Sequence, residues 1–148
     1  MPYAITWEAK GFHCRFHGDC TIEDVIKVFE AIGADACFDE LRYGIFDYLD
    51  VRRQNVTEEQ VELVAGLDFA QMLTNPRMVI ASVSIDECIR LLWQHYASVV
   101  AGSGKRALFA DLAAARDWVA AQTHEDQGIR KSPWCPFAQQ AKPGRQAD

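Results

Sequence analysis

Three residues near the N-terminus, His13, His17 and Cys20, are of the types that bind zinc, and Cys14 lies close to them in sequence. The two histidines fall on one face of a predicted strand, too far apart for a compact metal pair unless the chain bends. Zinc sites have tighter cysteine and histidine spacing. We therefore expect two solvated histidines, and the sequence predicts neither a metal nor another cofactor.

Two carboxylates, Asp47 and Asp50, lie near the carboxyl end of a predicted strand, where open α/β sheets bind ligands. No histidine, serine or cysteine lies near them in sequence to complete a catalytic set. Residues 102–105, GSGK, are similar to the end of a phosphate-binding loop, but Val99 stands where that pattern needs glycine. The segment also leads from a helix into a strand, so no helix N-terminus faces a phosphate. The sequence therefore predicts a protein that is not an enzyme.

The composition of the 148 residues is typical of one globular domain, with 49% hydrophobic and 24% charged residues. A formal net charge of -6 argues against nucleic-acid binding. Apolar runs fall far short of the ~20 residues that a membrane span needs. The first ten residues do not resemble a signal peptide, and the five cysteines are scattered. These features predict free thiols and a cytoplasmic location.

Two stretches predict strands in the middle of a sheet. In residues 43–50, YGIFDYLD, apolar side chains occupy both alternating faces, and residues 78–83, MVIASV, are apolar throughout. Period-two alternation over residues 3–7 and 12–17 predicts an antiparallel hairpin. Residues 51–55, VRRQN, predict a polar loop.

Four helices follow from capping residues and apolar spacing. Thr21 begins the first helix, with Asp24 in a capping-box position; Thr57 caps the second, Ser84 the third and Asp111 the fourth. The residues of the third helix expected to face inward are Ile85, Cys88, Ile89, Leu92, Tyr96 and Val99. Those of the fourth are Leu112, Ala115, Trp118 and Val119.

With a short last strand at residues 105–109, the elements follow the order ββαβαβαβα. This order predicts an α/β fold with a mixed, mostly parallel five-stranded sheet. We assign residues 1–122 to the domain. Residues 123–148 are polar and without periodicity, which predicts a flexible C-terminal tail.

The chain resembles the SpoIIAA-like fold of STAS domains (sulphate transporter and anti-sigma-factor antagonist). More specifically, it looks like the small stand-alone bacterial proteins of unknown function labelled STAS/SEC14-like. The resemblance is carried by Phe38 and Asp39 with residues 41–47 (LRYGIFD), residues 56–68 (VTEEQVELVAGLD), residues 75–83 (NPRMVIASV), and Phe109 with residues 113–119 (AAARDWV). It implies a β–α superhelix with helices mainly on one face of the sheet, and binding or regulation rather than catalysis.

One departure bears on regulation. The resemblance implies a phosphorylated serine at the start of the helix after the central strand, but residues 51–61 contain no serine and only one hydroxyl, Thr57. Thr57 is the candidate phosphorylation position by resemblance. The alternative is that it is simply an N-cap, which we favour because threonine is common there.

The second helix carries more apolar surface than one buried stripe requires. Val64, Leu67, Phe69 and Leu73 cannot all face the sheet. Either an adjacent helix covers them, or they form a dimer contact or a ligand groove. We expect a non-enzymatic binding or regulatory domain that self-associates and acts through protein contacts. The alternative is a carrier or sensor of a small apolar or lipid-like ligand held between the second and third helices, where Met72, Trp93 and Tyr96 would line a pocket.

Overall fold

A computed structural model of the chain describes residues 2–124. The five strands are β1 Tyr3–Trp7, β2 Gly11–Cys20, β3 Tyr43–Gln54, β4 Val79–Val83 and β5 Lys105–Phe109. The four α-helices are α1 Ile22–Gly33, α2 Glu58–Thr74, α3 Glu87–Val99 and α4 Leu112–His124, and a short 3-10 helix spans Phe38–Glu40. The sheet order is β1-β2-β3-β4-β5, with β1 antiparallel to β2 and the other pairs parallel. The predicted α/β fold and order of elements are confirmed.

Each face of the sheet has its own core. On one face, side chains such as Phe12, Phe46 and Ile80 pack with buried residues of α1 and α2. On the other, Ile45 and Ala81 pack against α4. The central strands therefore bury both of their faces, as their two-sided apolar pattern predicted.

Strand β3 is longer than predicted. It continues to Gln54 and pairs with β2 as far as Cys20, whereas β4 ends at Val83, opposite Asp47. The prediction of a loop at residues 51–55 was wrong because the polar side chains belong to a two-stranded ribbon with an exposed face. There Arg53 pairs with Asp19 at 3.1 Å.

The helix starts are confirmed with one exception. Thr21 and Thr57 each form a capping box, and Asp111 accepts from the N–H of Ala114 at 2.8 Å. Asp86, not Ser84, caps α3. The N–H of Ser84 donates to the carbonyl of Phe109 at 3.0 Å, which ties Ser84 to the sheet and delays the helix. The helix therefore starts later than predicted, and Ile85, Cys88 and Val99 are exposed rather than buried.

The inner face of α4 is as predicted: Ala115 and Val119 are buried, with Leu112 and Trp118 packed beside them. The helix continues to residue 124, and the rest of the predicted tail, residues 125–148, lies outside the described residues. No helix within residues 2–124 combines the length and apolar character needed to cross a membrane.

The cysteines only partly follow the prediction of free thiols. Cys14, Cys20 and Cys88 are free. Cys37 is disulfide-bonded, so the prediction was wrong there. Cys135 lies outside the described residues.

Candidate ligand pocket

A pocket of about 100 Å³ lies between one face of the sheet and helices α1, α2 and α3. The sheet and the segment after β3 contribute Cys20, Phe46, Tyr48, Val51, Gln54, Val56, Ile80 and Ser82. The helices contribute Ile22, Val25, Phe29, Val61, Val64, Ile89, Leu92, Trp93 and Tyr96. The pocket is partly open to solvent, and none of these residues carries a charged side chain at neutral pH.

The unequal lengths of β3 and β4 create this pocket. Beyond Asp47, β3 has no neighbour on its β4 side, and Tyr48 and Val51 from this part of β3 line the pocket. Gln54 accepts the N–H of Val56 at 2.8 Å and shapes the turn towards α2. The pocket therefore lies at the carboxyl ends of parallel strands, where open α/β sheets bind ligands.

Tyr96, in the wall of the pocket, is held by a buried ion pair. Its hydroxyl donates to Asp68 on α2, and Arg106 on β5 donates through Nε to Asp68 at 2.7 Å and to the Tyr96 hydroxyl at 2.9 Å. Asp68 is 1% exposed. Burial, followed by the negative charge of Asp68, raises the pKa of Tyr96 well above its usual value, so the hydroxyl stays protonated.

The polar groups of the lining are few and neutral. Burial, together with the negative charge of Asp24, raises the pKa of Cys20 to about 12, so its thiol is not a nucleophile at neutral pH. The indole Nε1 of Trp93 is buried without a hydrogen-bond partner among residues 2–124. Nothing in this lining assembles a nucleophile with a base, so the pocket is suited to binding rather than covalent chemistry.

The residues that sequence pattern assigned to a ligand or partner surface separate into three groups. Val64, Trp93 and Tyr96 line the pocket. Met72 is buried beside Gly104 and is not part of the lining. Leu67, Phe69 and Leu73 are exposed on the outer side of α2.

The outer side of α2 is an apolar surface in its own right. Its exposed members, which we call the α2 surface, are Leu63, Gly66, Leu67, Phe69, Ala70 and Leu73. They span roughly 15 Å of helix at 1.5 Å per residue. All six residues remain exposed in the described part of the chain, although Leu67 and Phe69 are partly covered.

The candidate metal ligands are not brought together. His13 and His17 lie on the sheet face opposite the pocket, whereas Cys20 lines the pocket. His13 Nε2 lies 2.9 Å from Asp47 Oδ2, and Arg15 pairs with Asp50. Each of the two aspartates therefore has a basic partner.

Thr57 is engaged as a helix cap. Its hydroxyl accepts from the N–H of Gln60 at 3.3 Å, and the side chain of Gln60 accepts from the N–H of Thr57 at 3.0 Å. Two of the N–H groups at this helix end that lack an intrahelical partner are thereby satisfied.

Sequence reasoning missed most of the pocket. It overlooked Tyr48 and Ser82 on the sheet and the contribution of α1. The period-two pattern does place Phe46 and Tyr48 on one face of β3, but the missing neighbour beyond Asp47 follows only from where β4 ends.

Comparison with protein-family models, with curated proteins and with solved structures finds no match to this chain.

Proposed function

We propose that this protein binds a small apolar ligand in the pocket between the sheet and helices α1–α3. The observation that supports this proposal is an apolar, aromatic-rich pocket at the carboxyl ends of the parallel strands. An enclosed apolar cavity of about 150 Å³ binds benzene. A partly open pocket of about 100 Å³ suits the same class of group, with part of the ligand protruding.

The pocket is built from elements that do not collapse onto it easily. Phe46 packs between Phe12 and Phe29, and Tyr48 stacks on Phe16 at 4.8 Å between ring centroids. The hydrogen bonds to Asp68 and Arg106 hold Tyr96 in place. Because other contacts fix these walls, ligand entry requires little rearrangement of the protein, and the free-energy cost of reorganisation is small.

The test is titration of the isotope-labelled protein with toluene, followed by amide chemical shifts. We expect saturable shifts at Ser82, Ile89 and Trp93. Val64→Phe fills the pocket and should weaken binding at least tenfold. Leu63→Phe, the adjacent exposed position of the same helix, is the control and should bind as the original chain does.

Absence of saturable shifts in the folded protein would refute ligand binding in this pocket, as would equal affinities for the two phenylalanine variants. Ile89→Phe fills the pocket from α3 and replaces Val64→Phe if that variant does not fold. Far-UV circular dichroism establishes folding in each case.

A second function is supported by the α2 surface: self-association through an antiparallel pair of α2 helices. Exposed Glu59 lies before the apolar stretch and exposed Arg77 lies after it. In an antiparallel pair each glutamate faces the arginine of the other copy, which favours a second copy of this chain as the partner. Gly66, with open space around it, allows the helices to approach closely.

Sedimentation velocity tests this association. We expect a dimer, and we expect Leu67→Glu to give a folded monomer because it places a charge in the apolar contact. Leu91→Glu, an exposed position on the outer side of α3, is the matched control and should remain dimeric. A monomer in the original chain, or equal dissociation by both substitutions, would refute this interface.

Both functions are non-enzymatic, and both suit a protein of the SpoIIAA-like class that the sequence resembles. Support for that class is limited to the mixed five-stranded sheet and the order of its elements. The capping role of Thr57 favours a constitutive helix start over a phosphorylation switch there. Intact-protein mass spectrometry of the cellular protein tests this: an added phosphate on Thr57 would refute it.

A further inference from the structure

Ser82 is the unusual residue of the pocket. It lies on the central strand β4, is 3% exposed, and forms part of the lining. Its hydroxyl makes no hydrogen bond with any residue in the range 2–124. Within residues 2–124 this oxygen is not one of the completely buried polar atoms that lack a partner, so it reaches the open space of the pocket. This observation points to a ligand.

A second hydroxyl lies near it. Phe46 of β3 is opposite Ser82 in the sheet, and Tyr48 follows two residues later on the same face. Strand geometry places the Cα atoms of Ser82 and Tyr48 roughly 8 Å apart. The Tyr48 hydroxyl likewise has no hydrogen-bond partner within residues 2–124. Burial raises the pKa of Tyr48 above its usual range, so this group is a neutral donor at physiological pH.

The remaining lining determines the charge of the ligand. No lysine, arginine, histidine, aspartate or glutamate is among the lining residues. A carboxylate or ammonium group entering the pocket would lose its hydration without gaining an opposite charge, which is strongly unfavourable. A neutral polar group loses less hydration free energy on entry, and it regains a hydrogen bond from a hydroxyl that lines the pocket.

We propose that the ligand is a neutral molecule with one ring or a short branched alkyl group and a single hydroxyl or carbonyl substituent. Ser82 forms a hydrogen bond with this substituent from the floor of the pocket, and Tyr48 does so from the side. This inference rests on the proposed function of the pocket. It selects against the long-chain carboxylates that an apolar pocket would otherwise admit.

Two pairs of probes of matched shape test it: phenol with toluene, and benzamide with benzoate. In the original chain, phenol binds more tightly than toluene, and benzamide binds at least tenfold more tightly than benzoate. Ser82→Ala should weaken phenol binding about fivefold to tenfold, the equivalent of one net hydrogen bond, and leave toluene unchanged. Tyr48→Phe should have a smaller effect of the same kind.

Ser84→Ala is the control. Ser84 is also buried at the end of β4, but its hydroxyl accepts from the N–H of Asp86 and it is not part of the lining. It should not alter the preference for phenol over toluene. Equal weakening of phenol and toluene by Ser82→Ala, or equal affinities for benzoate and benzamide, would overturn this inference while leaving a pocket that binds ligands. If none of the four probes binds, the proposal that this pocket binds small apolar ligands is itself refuted.

Discussion

Breaking the buried ion pair between Asp68 and Arg106 should be one of the most destabilising changes available in this fold. The Asp68 side chain is 1% exposed and that of Arg106 is 5% exposed. Arg106→Met leaves the carboxylate buried without its charged partner, which costs about 3–5 kcal/mol. Small domains have only about 5–15 kcal/mol of total stability, so this variant should lie close to the folding limit.

The same reasoning predicts that removing the whole group costs much less than removing its parts. In the triple variant Asp68→Leu, Tyr96→Phe and Arg106→Met, no charge or hydroxyl remains to be satisfied, and apolar side chains of similar volume replace the group. Its free energy of unfolding should lie within about 2 kcal/mol of the original value. Tyr96→Phe alone removes a hydrogen bond to a charged group and should cost about 1.5–3 kcal/mol.

Urea unfolding followed by circular dichroism measures these differences. The two single variants and the triple variant should show strongly non-additive free energies. The reasoning is refuted if Arg106→Met costs less than about 1 kcal/mol, or if the triple variant costs as much as the sum of the single changes. If Arg106→Met does not fold, Tyr96→Phe and the triple variant still decide the question.

Three further outcomes test other parts of the structure. Burial tends to raise the pKa of Asp47, but hydrogen bonds from His13 and a backbone N–H outweigh burial and lower the pKa from 3.8. The stability that this interaction contributes is present above that pH and is lost as the pH falls below it. Asp47→Asn should therefore flatten the acid side of the stability–pH curve measured by urea unfolding. Gly44→Ala should cost about 1–3 kcal/mol in the same assay, because its Cβ would lie 2.3 Å from the Phe12 ring. Iodoacetamide should label exposed Cys88 in the native protein and spare buried Cys14, as peptide mass mapping will show.

Each of these outcomes has a control. Asp86→Asn removes an exposed carboxylate at a helix cap and should retain most of the acid dependence. At concentrations low enough to keep the chain monomeric, Gly66→Ala adds a methyl group in open space on a helix and should be neutral or stabilising by up to about 1 kcal/mol. In urea Cys14 should label as fast as Cys88. An unchanged acid side of the stability–pH curve in Asp47→Asn would contradict the contact between His13 and Asp47. A Gly44→Ala variant of unchanged stability would contradict the close packing of Phe12 on Gly44, and rapid labelling of Cys14 in the native protein would contradict its burial.

Local features could be read from the sequence because their causes are local. The capping boxes at Thr21 and Thr57 depend on residues three positions apart, and the inner face of α4 follows from helical spacing. The delayed start of α3 could not be read in this way. It depends on a backbone hydrogen bond from Ser84 to β5, far along the chain.

The pocket was only partly predictable for the same reason. Trp93 and Tyr96 were predicted to line a pocket between the second and third helices, and both are part of the lining. The floor at Ser82 and the wall at Tyr48 depend on the relative ends of two strands, a property of the assembled sheet. Met72 has an apolar side chain of the kind that lines pockets. It packs beside Gly104 instead, because the loop before β5 closes over it.

The early end of β4 also makes the pocket an adjustable feature of this scaffold. Extending β4 by two residues would advance it by roughly 7 Å along β3 and place its new side chains next to Tyr48 on the pocket face. Shortening it by two would deepen the pocket at the expense of Ser82. Since residues 50–54 of β3 are held by pairing with β2, the position of this part of the strand does not depend on the length of β4. Pocket depth can therefore diversify through insertions and deletions at one strand end while the rest of the sheet is preserved.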